Sequence, residues 1–221
     1  MMHLTKTTPK CLLKVKGKSL IEWQLDAIRG AGIEEIAIVT GYRKEMLRKY
    51  KLVEFYNHNW SKTQMVYSLF SAREWLMDKD FIISYSDIFY QQSAIDLLKR
   101  NYDDISITYD PNWRKLWENR FEDPLSDAES FQLDKDNNLV EIGNAVDSIN
   151  DIQGQYMGLL KISNKAMVHF EELFNLQEDS KKENLDMTGL LQLVLKDSKF
   201  KIHAYPYSQI WGEVDNKNDL E

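Results

Sequence analysis

A single cysteine, Cys11, among 221 residues excludes an internal disulfide and fits a reducing compartment. No apolar run approaches the ~18 residues of a membrane-spanning helix, and the N-terminal MMHLTKTTPK lacks the apolar segment of a secretory signal. A soluble, cytoplasmic protein is therefore expected. Positive charge is also short. The 28 Lys and Arg residues against 35 Asp and Glu give a formal net charge of −7, which argues against a general nucleic-acid or membrane-surface binder. Internal repeats and low-complexity tracts are lacking. The four histidines, His3, His58, His169 and His203, stand in unrelated contexts, so no Ser/His/Asp arrangement is present. What the chain does have is material for a core. Hydrophobic residues make up 43% and charged residues 29%, over a length that suits one large α/β domain or one domain with a sizeable insertion.

The N-terminal half alternates helical and strand patterns. Residues 19–29 repeat apolar side chains on one helical face, and Gly30 and Gly32 end that run. A short buried strand is predicted over 36–40, a basic helix over 44–50 and a strand over 52–56. Residues 57–64 read as loop and 65–77 as an amphipathic helix. A strand over 81–85 and a helix over 93–100 follow. This order predicts a doubly wound α/β core. After residues 105–108 the texture becomes aromatic, acidic and turn-rich, with Pro111 and Pro124 as breakers. Residues 131–133 and 139–142 predict a β-hairpin. Beyond it come a strand over 156–162, a helix over 166–176, a polar loop over 177–183, a helix over 187–195 and a strand over 200–205. The expected division is one domain over 1–221. Its parts are a core (1–108), an insertion or lid that covers a pocket (109–162) and a C-terminal part returning to the core (163–221).

Within this framework Phe81-Ile-Ile-Ser-Tyr-Ser-Asp87-Ile stands out. An uninterrupted apolar run reads as a strand buried on both faces, as in a parallel sheet. Asp87 then falls beyond the carboxyl end of that strand, where open α/β sheets bind ligands. A carboxylate there can hold a divalent cation, or it can serve as a turn residue or helix cap. A second such carboxylate, Asp215, ends Trp211-Gly-Glu-Val-Asp215, and Thr5-Lys-Thr-Thr-Pro9-Lys10 adds hydroxyls and ammonium groups. Asp186 fits the N-cap of the helix that follows it.

The segments Thr8-Pro9-Lys10-Cys-Leu-Leu, Lys18-Ser-Leu-Ile-Glu-Trp-Gln and Ala31-Gly-Ile-Glu-Glu-Ile-Ala-Ile-Val-Thr-Gly-Tyr are similar to the nucleotidyltransferases of Rossmann-like fold. The similarity continues through Asn57, Thr63-Gln-Met-Val-Tyr-Ser68-Leu, Ser84-Tyr-Ser-Asp87-Ile and Glu213-Val-Asp215 to Asp219-Leu. It spans nearly the whole chain in the family's order. Residues 57–69, Trp113-Arg-Lys-Leu-Trp117 and Gly154-Gln-Tyr-Met-Gly158 resemble the choline-phosphate, phosphonate and amino-acid-phosphate cytidylyltransferase branch. The resemblance implies a Rossmann-like doubly wound mixed sheet with an inserted acceptor-binding subdomain. It also implies Mg²⁺-dependent transfer of CMP from CTP to a small phosphorylated acceptor, with pyrophosphate released. The product would be a CDP-linked compound for surface-polysaccharide or lipid decoration.

By the same resemblance Lys10 contacts the phosphates and Asp87 and Asp215 hold magnesium. Asn57, Thr63, Gln64, Ser68 and Ser86 line the nucleotide pocket, and Glu129, Glu141, Gln155 and Tyr156 meet the acceptor. Phosphocholine, an aminoalkyl phosphonate and an amino-acid phosphate such as L-glutamine phosphate all stay open. The aromatic residues Tyr109, Trp113, Trp117, Tyr156 and Trp211 suit either subdomain packing or a cation–π cage, packing being the commoner use. Two other readings stand beside this one: a sugar-1-phosphate nucleotidyltransferase, and a binding module without catalysis. Family members begin with a central strand and a glycine-rich loop bearing an arginine. Here the chain starts at Met1, inside that loop, so those parts are expected to be missing, as in a shortened product of a longer protein. The strands beside the missing one are expected to present unpaired edges.

Overall fold

In the computed structural model, residues 5–216 and 218–220 are described. Met1–Leu4, expected to fall in a phosphate-binding loop, lie outside them. Pro9 starts a 3-10 turn, Lys10–Leu12, followed by a small antiparallel pair, β1 (Lys14–Val15) and β2 (Lys18–Ser19). Ser19 then caps α1 (Leu20–Gly30) through a capping box with Glu22, which satisfies otherwise orphaned backbone N–H groups. β3 (Ala37–Thr40) and β4 (Val53–Tyr56) pair in parallel. The basic segment between them forms two 3-10 turns, Lys44–Met46 and Arg48–Tyr50, instead of the predicted helix. Arg43 and Lys51, both with positive φ, bound those turns. The predicted helix over 65–77 is likewise interrupted. It becomes α2 (Met65–Phe70) and α3 (Arg73–Leu76), separated at Ser71–Ala72.

β5 (Phe81–Ser84), β6 (Ile88–Tyr90), α4 (Gln92–Lys99) and β7 (Ile105–Asp110) complete the first part of the chain. α5 (Trp113–Arg120) occupies the stretch that read as turn-rich, and β8 (Phe131–Leu133) and β9 (Leu139–Ile142) form the predicted hairpin. β10 (Gln155–Ile162) and α6 (Asn164–Asn175) follow, then α7 (Asp179–Asn184), which replaces the predicted polar loop. α8 (Met187–Asp197), β11 (His203–Pro206) and β12 (Trp211–Glu213) end the fold.

The main sheet has the order β11-β7-β10-β5. β11 runs parallel to β7, while β10 runs antiparallel to both β7 and β5. The sheet is thus mixed, and β10 lies inside it between β5 and β7. α1 packs against α4, and α6 against α8. Every residue of β7 is buried. β5 was expected to be buried on both faces, yet all four of its residues are only half-buried. The reason is topological: among the described residues β5 pairs with β10 alone and β3 pairs with β4 alone. Between them runs a cavity of about 930 Å³, lined by both strands and by Ile21, Leu25, Leu69 and Trp75. Among the described residues the facing edges of β3 and β5 carry no ladder partner. None of the described helices is long and apolar enough to cross a membrane.

Candidate active site

Two short strands explain why residues distant in sequence meet. β12 pairs antiparallel with β6 in the register Trp211↔Tyr90, Gly212↔Phe89 and Glu213↔Ile88. The next rung is a hydrogen bond from Val214 N to Asp87 O at 3.0 Å. Asp87 precedes β6 and Asp215 follows β12, so the ladder delivers both to the same end. From α1, the buried Gln24 amide donates to the carbonyls of Tyr85 (2.8 Å) and Ile88 (2.6 Å), which pins the loop carrying Asp87 on either side.

Lys10 projects between the two carboxylates. Its Nζ lies 2.8 Å from Asp87 Oδ2 and 2.7 Å from Asp215 Oδ1. Burial works to lower the Lys10 pKa, but the Asp87 charge and the hydrogen bonds to Asp215 and Asp87 outweigh it and raise the pKa. Asp215 shows the complementary effect: burial pushes its pKa up, while hydrogen bonding and charge from Lys10 and then Arg120 pull it down overall. Glu213, two residues earlier, is driven well above the ordinary glutamate range by burial first, then by the charges of Asp215 and Asp87.

Ligand oxygens of Asp87, Glu213 and Asp215 lie within 4.8 Å of one another. Asp87 Oδ1 is buried and has no hydrogen-bond partner among the described residues. A buried carboxylate oxygen left unpaired beside two further carboxylates fits a hard divalent cation such as Mg²⁺, which takes oxygen ligands.

The remaining predicted residues divide. Ser68 and Ser86 join Lys10 and Asp87 in lining the 930 Å³ cavity. Asn57 is only 2% exposed, and its side chain is spent on Thr63 Oγ1 (2.9 Å), Ser68 Oγ (3.0 Å) and the backbone N–H of Asn59 (2.8 Å). It therefore shapes the 57–68 loop from behind. Gln64 is exposed and holds its backbone N–H on Glu183 O at 2.8 Å, which ties that loop to α7. On the acceptor side, buried Gln155 donates to Glu129 O at 2.9 Å, and the Tyr156 ring meets Tyr85 edge-on at 5.8 Å. Gly158 makes that approach possible. It adopts φ +74° beside a bulge in β10, and a Cβ there would lie 2.6 Å from the Tyr85 ring.

Burial, then the charges of Asp186 and Asp127, raises the Glu129 pKa. Asp186 caps α8 through Gly189 N at 2.7 Å, as its position in the sequence suggested. Glu141 accepts from Asn144 at 3.2 Å, and no hydrogen bond or ion pair among the described residues joins it to Glu129, Gln155 or Tyr156. Tyr109, Trp113, Trp117 and Trp211 are buried, and the three indoles donate to Ile152 O, Asp127 and Asp110 respectively. These four pack as core.

Two charged residues of the site were missed. Glu213 ends β12 two residues before Asp215, a spacing that would point both carboxylates the same way along an extended chain. Arg120 carried no such signal. Its guanidinium reaches Asp215 Oδ2 (2.9 Å), Asp219 Oδ1 (3.2 Å) and Glu213 Oε2 (3.4 Å) from the end of a helix that the sequence did not predict.

With this geometry in place, similarities to known proteins can be weighed. Residues 3–126 match the family described as the MobA-like NTP transferase domain. The chain is 33% identical, over all of its own length and 93% of the relative, to the CTP:phosphoglutamine cytidylyltransferase of Campylobacter jejuni. It is 31% identical to the choline-phosphate cytidylyltransferase of Streptococcus pneumoniae over 45% of each chain. The fold resembles the inositol-1-phosphate CTP transferase of T. maritima, with a TM-score of 0.76 at 17% identity, covering 100% of this chain and 86% of that one.

Proposed function

The chain belongs to the MobA-like NTP transferase domain family, and on that premise we propose that it transfers CMP from CTP to a small phosphorylated acceptor. An amino-acid phosphate is the favoured acceptor, since the relative aligned over the whole chain acts on phosphoglutamine by name. The product is a CDP-linked compound, suited to decorating a surface polysaccharide or lipid. The observation that carries the proposal is the convergence of Lys10, Asp87, Glu213 and Asp215, of which Lys10 and Asp87 line the cavity. The lone, buried Cys11 supports a reducing, cytoplasmic setting.

In the reaction, an oxygen of the acceptor phosphate attacks the α-phosphorus of CTP. A new P–O bond forms as the bond from that phosphorus to the bridging oxygen breaks, and the electron pair leaves with pyrophosphate. The acceptor is already an anion, so no general base is required. The protein's contribution is alignment and cancellation of charge. Magnesium held by Asp87 and Asp215, with Glu213 beside them, would neutralise phosphate charge. Lys10 supplies a compact positive charge, and its place between the two carboxylates keeps it at the phosphate end of the site. Ser68, Ser86, Thr63 and Gln64 are assigned to the base and ribose, with Asn57 acting through Thr63 and Ser68. Glu129, Gln155, Tyr156 and Glu141, all within the 109–162 insertion, are assigned to the acceptor.

The test is pyrophosphate release with CTP, UTP, GTP and dTTP, each against L-glutamine phosphate, phosphocholine, 2-aminoethylphosphonate and a hexose 1-phosphate. Turnover with CTP and one of the first three acceptors is expected. Turnover with the hexose 1-phosphate alone would make the protein a sugar nucleotidyltransferase. CTP binding with no release from any pair would make it a binding module.

A further inference from the structure

Arg120 ends α5, and its side chain is only 6% exposed. A guanidinium so buried is costly unless fully paired. Here it is paired three times, with Asp215, Asp219 and Glu213, and it also lies over the rings of Trp117 (5.0 Å) and Phe121 (5.1 Å). The two oxygens of Asp215 are divided between partners: Oδ2 accepts from Arg120, and Oδ1 accepts from Lys10 on the side facing Asp87. A second route reaches the same residue. Asp219, only 4% exposed, accepts from Arg120 on Oδ1 (3.2 Å) and more weakly on Oδ2 (3.5 Å), and Oδ2 also accepts the backbone N–H groups of Asp215 (2.8 Å) and Asn216 (2.9 Å). Arg120 thus fixes both the carboxylate of Asp215 and, through Asp219, the backbone that carries it.

Building on the function proposed above, we propose that Arg120 is the positioning residue of the site, holding Asp215 so that Oδ1 faces the cation and the phosphates. The planar fork of arginine suits this role, because it presents separate N–H donors in fixed directions to three carboxylates, whereas the donors of an ammonium radiate from one atom. Among the described residues, four carboxylates, Asp87, Glu213, Asp215 and Asp219, are paired with two cations, Lys10 and Arg120. The surplus of negative charge suits a divalent cation. α5 also ties this arrangement to the acceptor side, since Trp117 Nε1 donates to Asp127 Oδ2 at 3.1 Å, two residues before Glu129.

The test compares the wild-type protein with Arg120→Lys and Asp219→Asn. Mn²⁺ binding is followed by electron paramagnetic resonance with and without CTP, together with kcat, the KM for acceptor and the thermal midpoint. Arg120→Lys keeps the charge and loses the fork. Partners that orient metal ligands are worth about 10–100-fold in affinity or activity. Arg120→Lys is therefore expected to weaken Mn²⁺ binding and lower kcat about 10-fold or more, with the acceptor KM nearly unchanged. Asp219→Asn should move the same quantities in the same direction by less. Wild-type Mn²⁺ affinity and kcat in Arg120→Lys would overturn the assignment. If Arg120→Lys does not fold, Asp219→Asn decides by the same criterion. A wild-type protein that binds neither Mn²⁺ nor CTP would instead overturn the functional reading on which this assignment rests.

Discussion

β7 is buried at every position from Ile105 to Asp110, whereas β3 and β5, built from equally apolar residues, are half-exposed along most of their length. The difference lies in their neighbours. β7 has β11 on one side and β10 on the other, while among the described residues β3 and β5 each have a strand on one side only. The hydrophobic clusters follow the same division. A large cluster surrounds the four-stranded sheet with α6 and α8, while a small one, Cys11, Ile21, Leu25 and Leu47, lies beside β3. A third, Leu13, Val15, Leu20 and Val214, sits beneath Lys10 and Asp215. The burial of a strand is thus set by what covers it, more than by its own composition. The candidate active site lies where the well-covered and poorly covered regions meet.

Four experiments would sharpen or break this contrast. Asp87 stands on the loop that leaves the poorly covered β5, yet its role is assigned to chemistry. Asp87→Asn should lower pyrophosphate release by about 10³-fold, with far-UV circular dichroism and the thermal midpoint little changed. Loss of folding in that variant would make Asp87 a structural cap.

The next contrast is between two isoleucines. Ile107 is fully buried in β7, and Ile107→Ala should cost about 2–5 kcal/mol in urea unfolding. Ile38 in the half-exposed β3 should cost less than about 2 kcal/mol on the same change. Equal costs would show that the two regions are covered alike in solution.

The third experiment uses the small cluster. Burial pushes the Cys11 thiol up to about 11, so the folded chain keeps a proton that the unfolded chain gives up at a lower pH. That contribution is complete below the unfolded pKa, near 8.5, and is lost as the pH rises towards about 11, with a slope of at most ~1.4 kcal/mol per pH unit. Wild type should therefore lose stability over this window faster than Cys11→Ser. Parallel curves would place Cys11 in contact with water.

The smallest effect belongs to Asp186→Ala, which removes the N-cap of α8 and should cost about 1 kcal/mol. Because α8 belongs to the large cluster, the loss should appear as a shift of the whole urea transition. A separate early phase would place α8 outside that cooperative unit.

Much of this arrangement was legible from local pattern. The period of apolar residues located α1, α4, α6 and α8, and the polar break at 134–138 located the β8–β9 hairpin. Asp87 stood out because it follows an apolar run at the carboxyl end of a strand, and Asp215 as a second such carboxylate, whereas Lys10 was marked by the family resemblance alone. What escaped was non-local or too short. Nothing in Gln155–Ile162 announces that β10 runs against its neighbours, since strand direction is fixed by the connection and not by the residues. β6 has three residues, and its meaning comes entirely from its partner β12. α5 was obscured by Pro111 and Pro124 on either side, although Trp113, Leu116, Trp117 and Arg120 repeat at helical spacing. α7 is polar throughout and offered no periodicity. The break between α2 and α3 falls at Ser71–Ala72, where neither residue signals an interruption.

The ladder between β6 and β12 has one more implication. Three paired rungs set how far the two aspartates are from each other, so the ladder acts as a gauge block for the pair. Because strand side chains alternate in direction, sliding one strand past the other by a single residue would turn Asp215 to the opposite face and withdraw it from Asp87. An insertion or deletion of one residue between Tyr207 and Trp211 leaves that spacing alone if the loop absorbs it. The same change between Gly212 and Asp215 would undo the pairing of the two acids.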